Sequence, residues 1–296
     1  MKIIRKIICF ALVLALSLPL FACGGGSKVT LNVLNWGDYI DPALLRQFED
    51  ETGISVKYTT MTSNEEMLVK LASPDNIYDV CFPSDYIIEK LIADDLLYKI
   101  DQANIPNLKN IDSRFLDLSF DPGNQYSVPY MWGTVGILYN TTMVTDPVDS
   151  WNILWDEKYA GEILMYDSMR DTIGITLKKL GYDINTRNEE DILAAQEALI
   201  AQKPLVRAYL TDDIKMELIN GNAAMGVVYS GDAVYCISEN PDLAYVVPKE
   251  GSNVWFDNII IPKTSQHTAE AEKFIDFLCD AIFKPVTASP IVHRRI

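Results

Sequence analysis

Histidine is almost missing from this chain, with only His267 and His293 among 296 residues. That scarcity argues against a His-based catalytic triad and against a zinc site. Cysteine is scarce as well: Cys9, Cys23, Cys81, Cys236 and Cys279 have neither metal-ligand spacing nor the short intervals of a disulfide framework. Positive charge is in deficit, 25 Lys and Arg against 41 Asp and Glu, for a net charge of −16. Nucleic acid is therefore not an expected partner, because phosphate binding needs a positive surface. A negative field of this size instead suits a cationic ligand. Nothing in the composition calls for a cofactor. Internal repeats are lacking, and low complexity is confined to a short Gly-Ser stretch at residues 24–27.

Long apolar runs are absent except at the start. Lys2, Arg5 and Lys6 precede an almost entirely apolar segment at residues 7–20, and Ala22-Cys23 follows it. A basic end, a short apolar core and a small residue before the boundary make a secretory signal over residues 1–22. The core is too short to span a membrane comfortably, which takes about 20 residues. Leu20-Phe21-Ala22-Cys23 resembles the bacterial lipobox, with Phe21 departing from the usual pattern. Cys23 is then the expected site of lipidation, anchoring the protein outside the membrane by buried acyl methylenes. Residues 23–28 form the tether. Loss of Lys2, Arg5 and Lys6 with the signal makes the remaining chain more acidic still.

The rest reads as alternating strands and helices. Strands are expected at residues 29–35, 54–58 and 77–81. Helices are expected from Asp41-Pro42, with proline at the first helical position, from Ser63, and over residues 86–94. Later strands are expected at 134–139, 161–165, 223–229, 243–247 and 254–261, with helices at 171–180, 188–201 and 269–279. This order predicts an α/β fold with a mostly parallel sheet covered by helices.

Rings and carboxylates recur where these strands are expected to end. The clusters are Trp36-Gly37-Asp38-Tyr39, Ser84-Asp85-Tyr86, Tyr229-Ser230-Gly231-Asp232 and Trp255-Phe256-Asp257; Asp167, Ser168 and Asp171 follow a fifth strand. Ligands of open α/β sheets bind just beyond such ends. A flexible organic cation asks for this mixture: its ammonium groups need anionic acceptors, and its methylenes need apolar walls. Aromatic faces serve both needs, with cation–π attraction of about 0.5–2 kcal/mol each.

The stretches LNVLNWGDYI, FEDETGISVKY, YDVCFPSDYII, YSVPYMWGTVGILYN, SWNILWDEKYAG, VVYSGDA and VPKEGSNVWFDNIIIP resemble the bacterial spermidine/putrescine-binding proteins, the solute-binding lipoproteins of polyamine ABC transporters. The resemblance implies a two-lobed periplasmic-binding-protein-like (type II) fold with crossing strands. Lobe 1 would be residues 29–133, lobe 2 residues 134–257, and residues 258–296 would return to lobe 1. It also implies a monomer that captures spermidine or putrescine and passes it to an ABC importer permease. Trp36 and Tyr39 match aromatic ligand contacts, Ser84 and Tyr86 a loop meeting an amine end, and Trp255 and Asp257 the ring and carboxylate at the middle of the ligand. Asp38 and Asp232 match acids of putrescine-preferring members, and Asp171 matches a family glutamate. Tyr229 stands where tryptophan is usual, and Ser168 where spermidine-preferring members carry aspartate, with Asp167 beside it. Asp38 and Asp232 lean toward a short diamine or toward accepting both amines.

After Asp280 the sequence AIFKPVTASPIVHRRI lacks the family's Gly-Tyr and Thr-Pro-Asn motif. The resemblance therefore implies a truncated C-terminus without a third crossing, a ligand tyrosine and a glutamine. Two alternatives stay open beside the polyamine reading. One is a solute-binding protein for another organic cation or a sugar; the other is a secreted hydrolase using paired carboxylates such as Asp167 with Asp171 or Asp85 with Asp257.

Overall fold

A computed structural model describes residues 29–281. The expected signal, the Cys23 lipidation site and the atypical tail after Ala281 lie outside these residues. The strands are β1 (Thr30–Trp36), β2 (Ser55–Met61), β3 (Val80–Cys81), β4 (Ser127–Asn140), β5 (Ile163–Tyr166), β6 (Val206–Leu210), β7 (Met225–Tyr229), β8 (Leu243–Val246) and β9 (Val254–Ile260). The helices are α1 (Pro42–Thr52), α2 (Asn64–Ala72), α3 (Asp85–Ala93), α4 (Met169–Leu180), α5 (Glu189–Gln202), α6 (Ile214–Ile219), α7 (Ser230–Glu239) and α8 (Thr268–Ala281).

The strand order is β2-β1-β3-β9-β4-β7-β5-β6, with β8 also paired to β4. Its two wings are parallel, β1 with β2 and β3, and β5 with β6 and β7. Its centre is antiparallel, so the expectation of a mostly parallel sheet is corrected to a mixed one. The reason is β4, which belongs to both halves. Ser127 to Thr134 pair with β9, whereas the stretch from Val135 onward pairs with β7 and β8. Sequence periodicity missed the first half of β4 because Pro129 interrupts it. Pro129 sits at a register shift against β9, where a missing N–H is tolerated.

Each wing is buried on both faces, as strand alternation requires. In the first, Leu31, Val33, Val80, Phe82, Ile259 and Ile261 face a core shared with Phe48 of α1 and Phe274 of α8. Leu34, Cys81 and Ile260 face the other way, toward Met67 and Leu71 of α2 and Ile88 and Leu91 of α3. In the second wing, Ile137, Ile163, Met165 and Val227 meet Trp151 and Ile175. Leu138, Leu164 and Val228 meet Ile214, Leu218 and Ala233 of α6 and α7. Two lobes with separate cores thus share β4. Cys81, Cys236 and Cys279 are free and buried.

Local chemistry explains most boundaries. Asp41 caps α1 by accepting from the Ala43 N–H, Pro42 opens it, and Gly53 ends it in the left-handed region at φ 74°. Ser63 caps α2 by accepting from the Glu66 N–H, and Glu66 accepts from the Thr62 N–H in return. The expected strand at 77–81 shrinks to β3 because the Asp79 carboxylate takes the Asn32 N–H at 2.9 Å, replacing a backbone ladder bond. β6, α6 and α7 were not anticipated. Gly231 in the first turn of α7 reads as a loop residue in sequence.

Gly133 on β4 is a point of close approach. A Cβ there would stand 2.5 Å from the Trp255 ring and 2.9 Å from Ser230 Oγ. Gly133→Ala is expected to lower unfolding stability by about 1–3 kcal/mol, the cost of overpacking, measured by urea denaturation.

Candidate functional site

The two lobes face each other across a cleft of about 360 Å³. The candidate ligand residues named from the sequence all line it: Trp36, Asp38, Tyr39, Ser84, Asp85, Tyr86, Asp167, Ser168, Asp171, Tyr229, Asp232, Trp255 and Asp257; Ser230 and Phe256 of the same clusters do not. Their routes into the cleft differ from expectation in one respect. Trp255-Phe256-Asp257 lies at the start of β9, not at its C-terminal end. Because β9 runs antiparallel to β3, its first residues sit beside the ends of the parallel strands. A backbone bridge between Ser84 and Asp257 marks the junction.

Asp257 is the centre of one carboxylate cluster. It is 5% exposed and accepts from Tyr39 Oη at 2.5 Å and from Ser84 Oγ at 2.6 Å. Ser84 Oγ in turn accepts from Asn64 Nδ2 at 2.9 Å. Burial pushes the Asp257 carboxyl up to about 7, the two hydroxyl donors pull it down, and Asp85 and Asp171 raise it. Asp85 is likewise lifted by burial to about 6, against the opposing pull of the Tyr86 N–H and Arg170. Asp171, on the first turn of α4, is buried. It accepts from Tyr229 Oη at 2.7 Å, Asn253 Nδ2 at 2.9 Å and Ser168 Oγ at 2.9 Å. Ser168 also caps α4 through the Asp171 N–H, so its hydroxyl organises Asp171. Asp167 is exposed.

The rings form walls. Tyr229 lies edge-on to Trp255 at 5.6 Å between centroids and tilted against Tyr166 at 4.6 Å. Trp255 Nε1 is buried without a protein partner. Trp36 is oriented by its Nε1–H donating to the Phe82 carbonyl at 2.9 Å. Tyr86 donates to Glu65 Oε1 at 3.1 Å, and the Arg170 guanidinium lies over its ring at 5.5 Å.

Sequence reasoning did not anticipate Glu65, Asn64, Arg170, Asp212, Lys215 or Asn253, all of which line the cleft. Glu65 and Asn64 belong to a helix start that looked purely structural, and Asn253 to a loop. Lys215 is the most consequential. Its Nζ donates to Asp38 Oδ2 at 3.0 Å and lies 3.7 Å from Asp232 and 3.9 Å from Asp212. The acids expected to meet a ligand amine at this end already face a lysine. Burial holds the Asp232 carboxyl up at about 6 despite Lys215. Among the described residues, no group of His, Cys, Asp or Glu is arranged to hold a metal, and no helix is long and apolar enough to cross a membrane.

A two-lobed α/β fold with its polar and aromatic groups gathered between the lobes is the architecture of a solute-binding protein. The bacterial extracellular solute-binding protein family matches residues 43–281, and the chain belongs to that family. It is 38% identical over 267 residues to the spermidine/putrescine-binding periplasmic protein of Salmonella typhimurium, covering 89% of this chain and 76% of the relative. Among solved structures it is similar to the spermidine/putrescine ABC transporter substrate-binding protein of Streptococcus pneumoniae, with 43% identity, a TM-score of 0.70, and coverage of 85% and 78%. The Tp0655 lipoprotein of Treponema pallidum superposes with a TM-score of 0.79 at 28% identity, covering 86% of this chain and 81% of that one.

Proposed function

We propose that this protein is an extracytoplasmic binding protein that captures a polyamine of the spermidine/putrescine class and delivers it to an ABC importer permease. The carrying observation is the cleft itself: a buried, aromatic-walled space with Asp257, Asp85 and Asp171 gathered at one region. A ligand ammonium placed there finds carboxylate acceptors, and the rings cover its methylenes. The relatives named above supply the chemical class. A sugar would gain little from carboxylates whose burial costs so much, whereas a cation offsets that cost. The hydrolase alternative has no support from the family, whose members bind solutes for transport.

In this reading residues 29–133 and 258–281 form one lobe and residues 134–257 the other. Ligand bridging both lobes favours the closed state, because it contacts both only there. Cys23 carries the lipid anchor and the protein acts as a monomer; the lipoprotein description of the Treponema neighbour accords with the anchor.

Calorimetry with putrescine, spermidine and a neutral diol of putrescine's length tests the proposal. The amines are expected to bind. The diol is expected to be weaker by about two to four orders of magnitude, since two charge-assisted interactions of about 1.5–3 kcal/mol each are lost. Equal affinity for the diol would refute the ammonium–carboxylate reading.

A further inference from the structure

The Lys215 side chain is an ammonium on an alkyl stem, the same chemistry as one end of a polyamine. It comes from α6 in the second lobe, and its side chain is 11% exposed. Its Nζ meets Asp38 from the first lobe and Asp212 and Asp232 from the second. The approach is close enough that a Cβ on Gly37 would stand 2.7 Å from Asp212 Oδ2. The cluster around Asp257 lies among different carboxylates, Asp85 and Asp171, with Arg170 as its nearby cation. Two acidic regions therefore border the cleft, and the lysine ammonium occupies one of them.

We propose that Lys215 is a resident ammonium that fills the amine subsite formed by Asp38, Asp212 and Asp232, so that the cleft holds two ligand ammonium groups and gains nothing from a third. This inference rests on the polyamine reading. The Lys215 ammonium takes the Asp38 contact and the space beside Asp212 and Asp232, so a second ammonium in this cage would have to share those oxygens with a like charge at close range. A spermidine terminus must then lie outside the cage or evict a lysine held by three carboxylates. Lys215 remains protonated in this setting, because the carboxylates outweigh its burial. Lys215 is thus a specificity residue that narrows the preference between polyamines of different charge.

The test compares spermidine with its two isosteres in which one or the other terminal ammonium is replaced by methyl, by calorimetry on the wild-type protein and on Lys215→Met. In the wild-type protein, at least one isostere is expected to match spermidine within about threefold. In Lys215→Met the vacated cage should accept the third ammonium, and spermidine should exceed both isosteres by at least tenfold. Lys215→Arg, which keeps the charge, should behave as the wild-type protein does. A wild-type protein that already prefers spermidine over both isosteres by tenfold overturns the inference, whether or not the Met variant folds. So does a folded Met variant that discriminates no better than the wild-type protein. Absence of binding by any amine would overturn the polyamine reading and this inference with it, whereas amine binding with unchanged discrimination would overturn this inference alone.

Discussion

Asp257→Asn is expected to weaken polyamine binding by about 2–5 kcal/mol, a rise in Kd of roughly 30-fold to several thousandfold. The substitution keeps the shape and removes the charge. Asp257 is buried, and both its oxygens already accept hydroxyl donors, from Tyr39 and Ser84. A ligand ammonium approaching it meets a desolvated carboxylate with few competing waters, where a charge-assisted contact is strongest. The same burial makes the carboxylate costly to keep ionised in the empty protein, shown by its elevation to about 7. The asparagine variant should therefore unfold no more readily than the wild-type protein at pH 7.5. Calorimetry reads the first effect and thermal denaturation the second. A variant that binds spermidine and putrescine normally would remove Asp257 from the ligand site.

Polyamine affinity is expected to fall by about two orders of magnitude between pH 8 and pH 5, with protons released on binding near neutrality. Asp257 sits at about 7, and Asp85 and Asp232 at about 6, each raised mainly by burial. The groups facing Asp257 are the Tyr39 and Ser84 hydroxyls and the Asp85 and Asp171 carboxylates. None of these supplies a positive charge, whereas Arg170 already faces Asp85 and Lys215 already faces Asp232. A ligand ammonium would supply one to Asp257, and it lowers the pKa of the carboxyl it meets. Below pH 7 the neutral acid must first give up its proton, so binding weakens as pH falls. Stability of the empty protein should move in the opposite direction. A carboxyl whose folded value lies above its unfolded value of about 3.9 contributes stability that is present below pH 4 and lost as pH rises through about 7. These three groups therefore make the empty cleft more stable at pH 5 than at pH 7.5, which separates weaker binding at acid pH from unfolding. Titrations at pH 6.5 in buffers of different ionisation enthalpy count the released protons. Affinity that is flat from pH 5 to pH 8, with no proton release, would contradict the buried-carboxylate description.

Residues and spacing alone determined a good deal. The caps at Asp41 and Ser63, the glycine stop at Gly53, the short strand β1 and the buried apolar run of β7 are local, and local rules found them. The ring-and-acid clusters could be read as cleft residues because strand ends in α/β sheets converge on one edge. The structure confined that rule to the parallel wings. Trp255 and Asp257 reach the same edge because β9 runs the other way, and strand direction is a property of pairing, which no local pattern carries. β4 had the same difficulty: its two halves pair with different partners, and Pro129 hides the first half from any count of periodicity.

Tertiary structure alone decided the charge balance of the cleft. In the sequence, Asp38 and Asp232 read as acids that lean toward a short diamine or toward accepting both amines, and Lys215 lies in a short helix that no local pattern marks. Folding brings Lys215 to Asp38 across 177 positions of chain and surrounds its ammonium with three carboxylates. Charge type is written in the sequence, but the energy between charges depends on separation and on the water excluded between them. Both quantities exist only once the two lobes face each other.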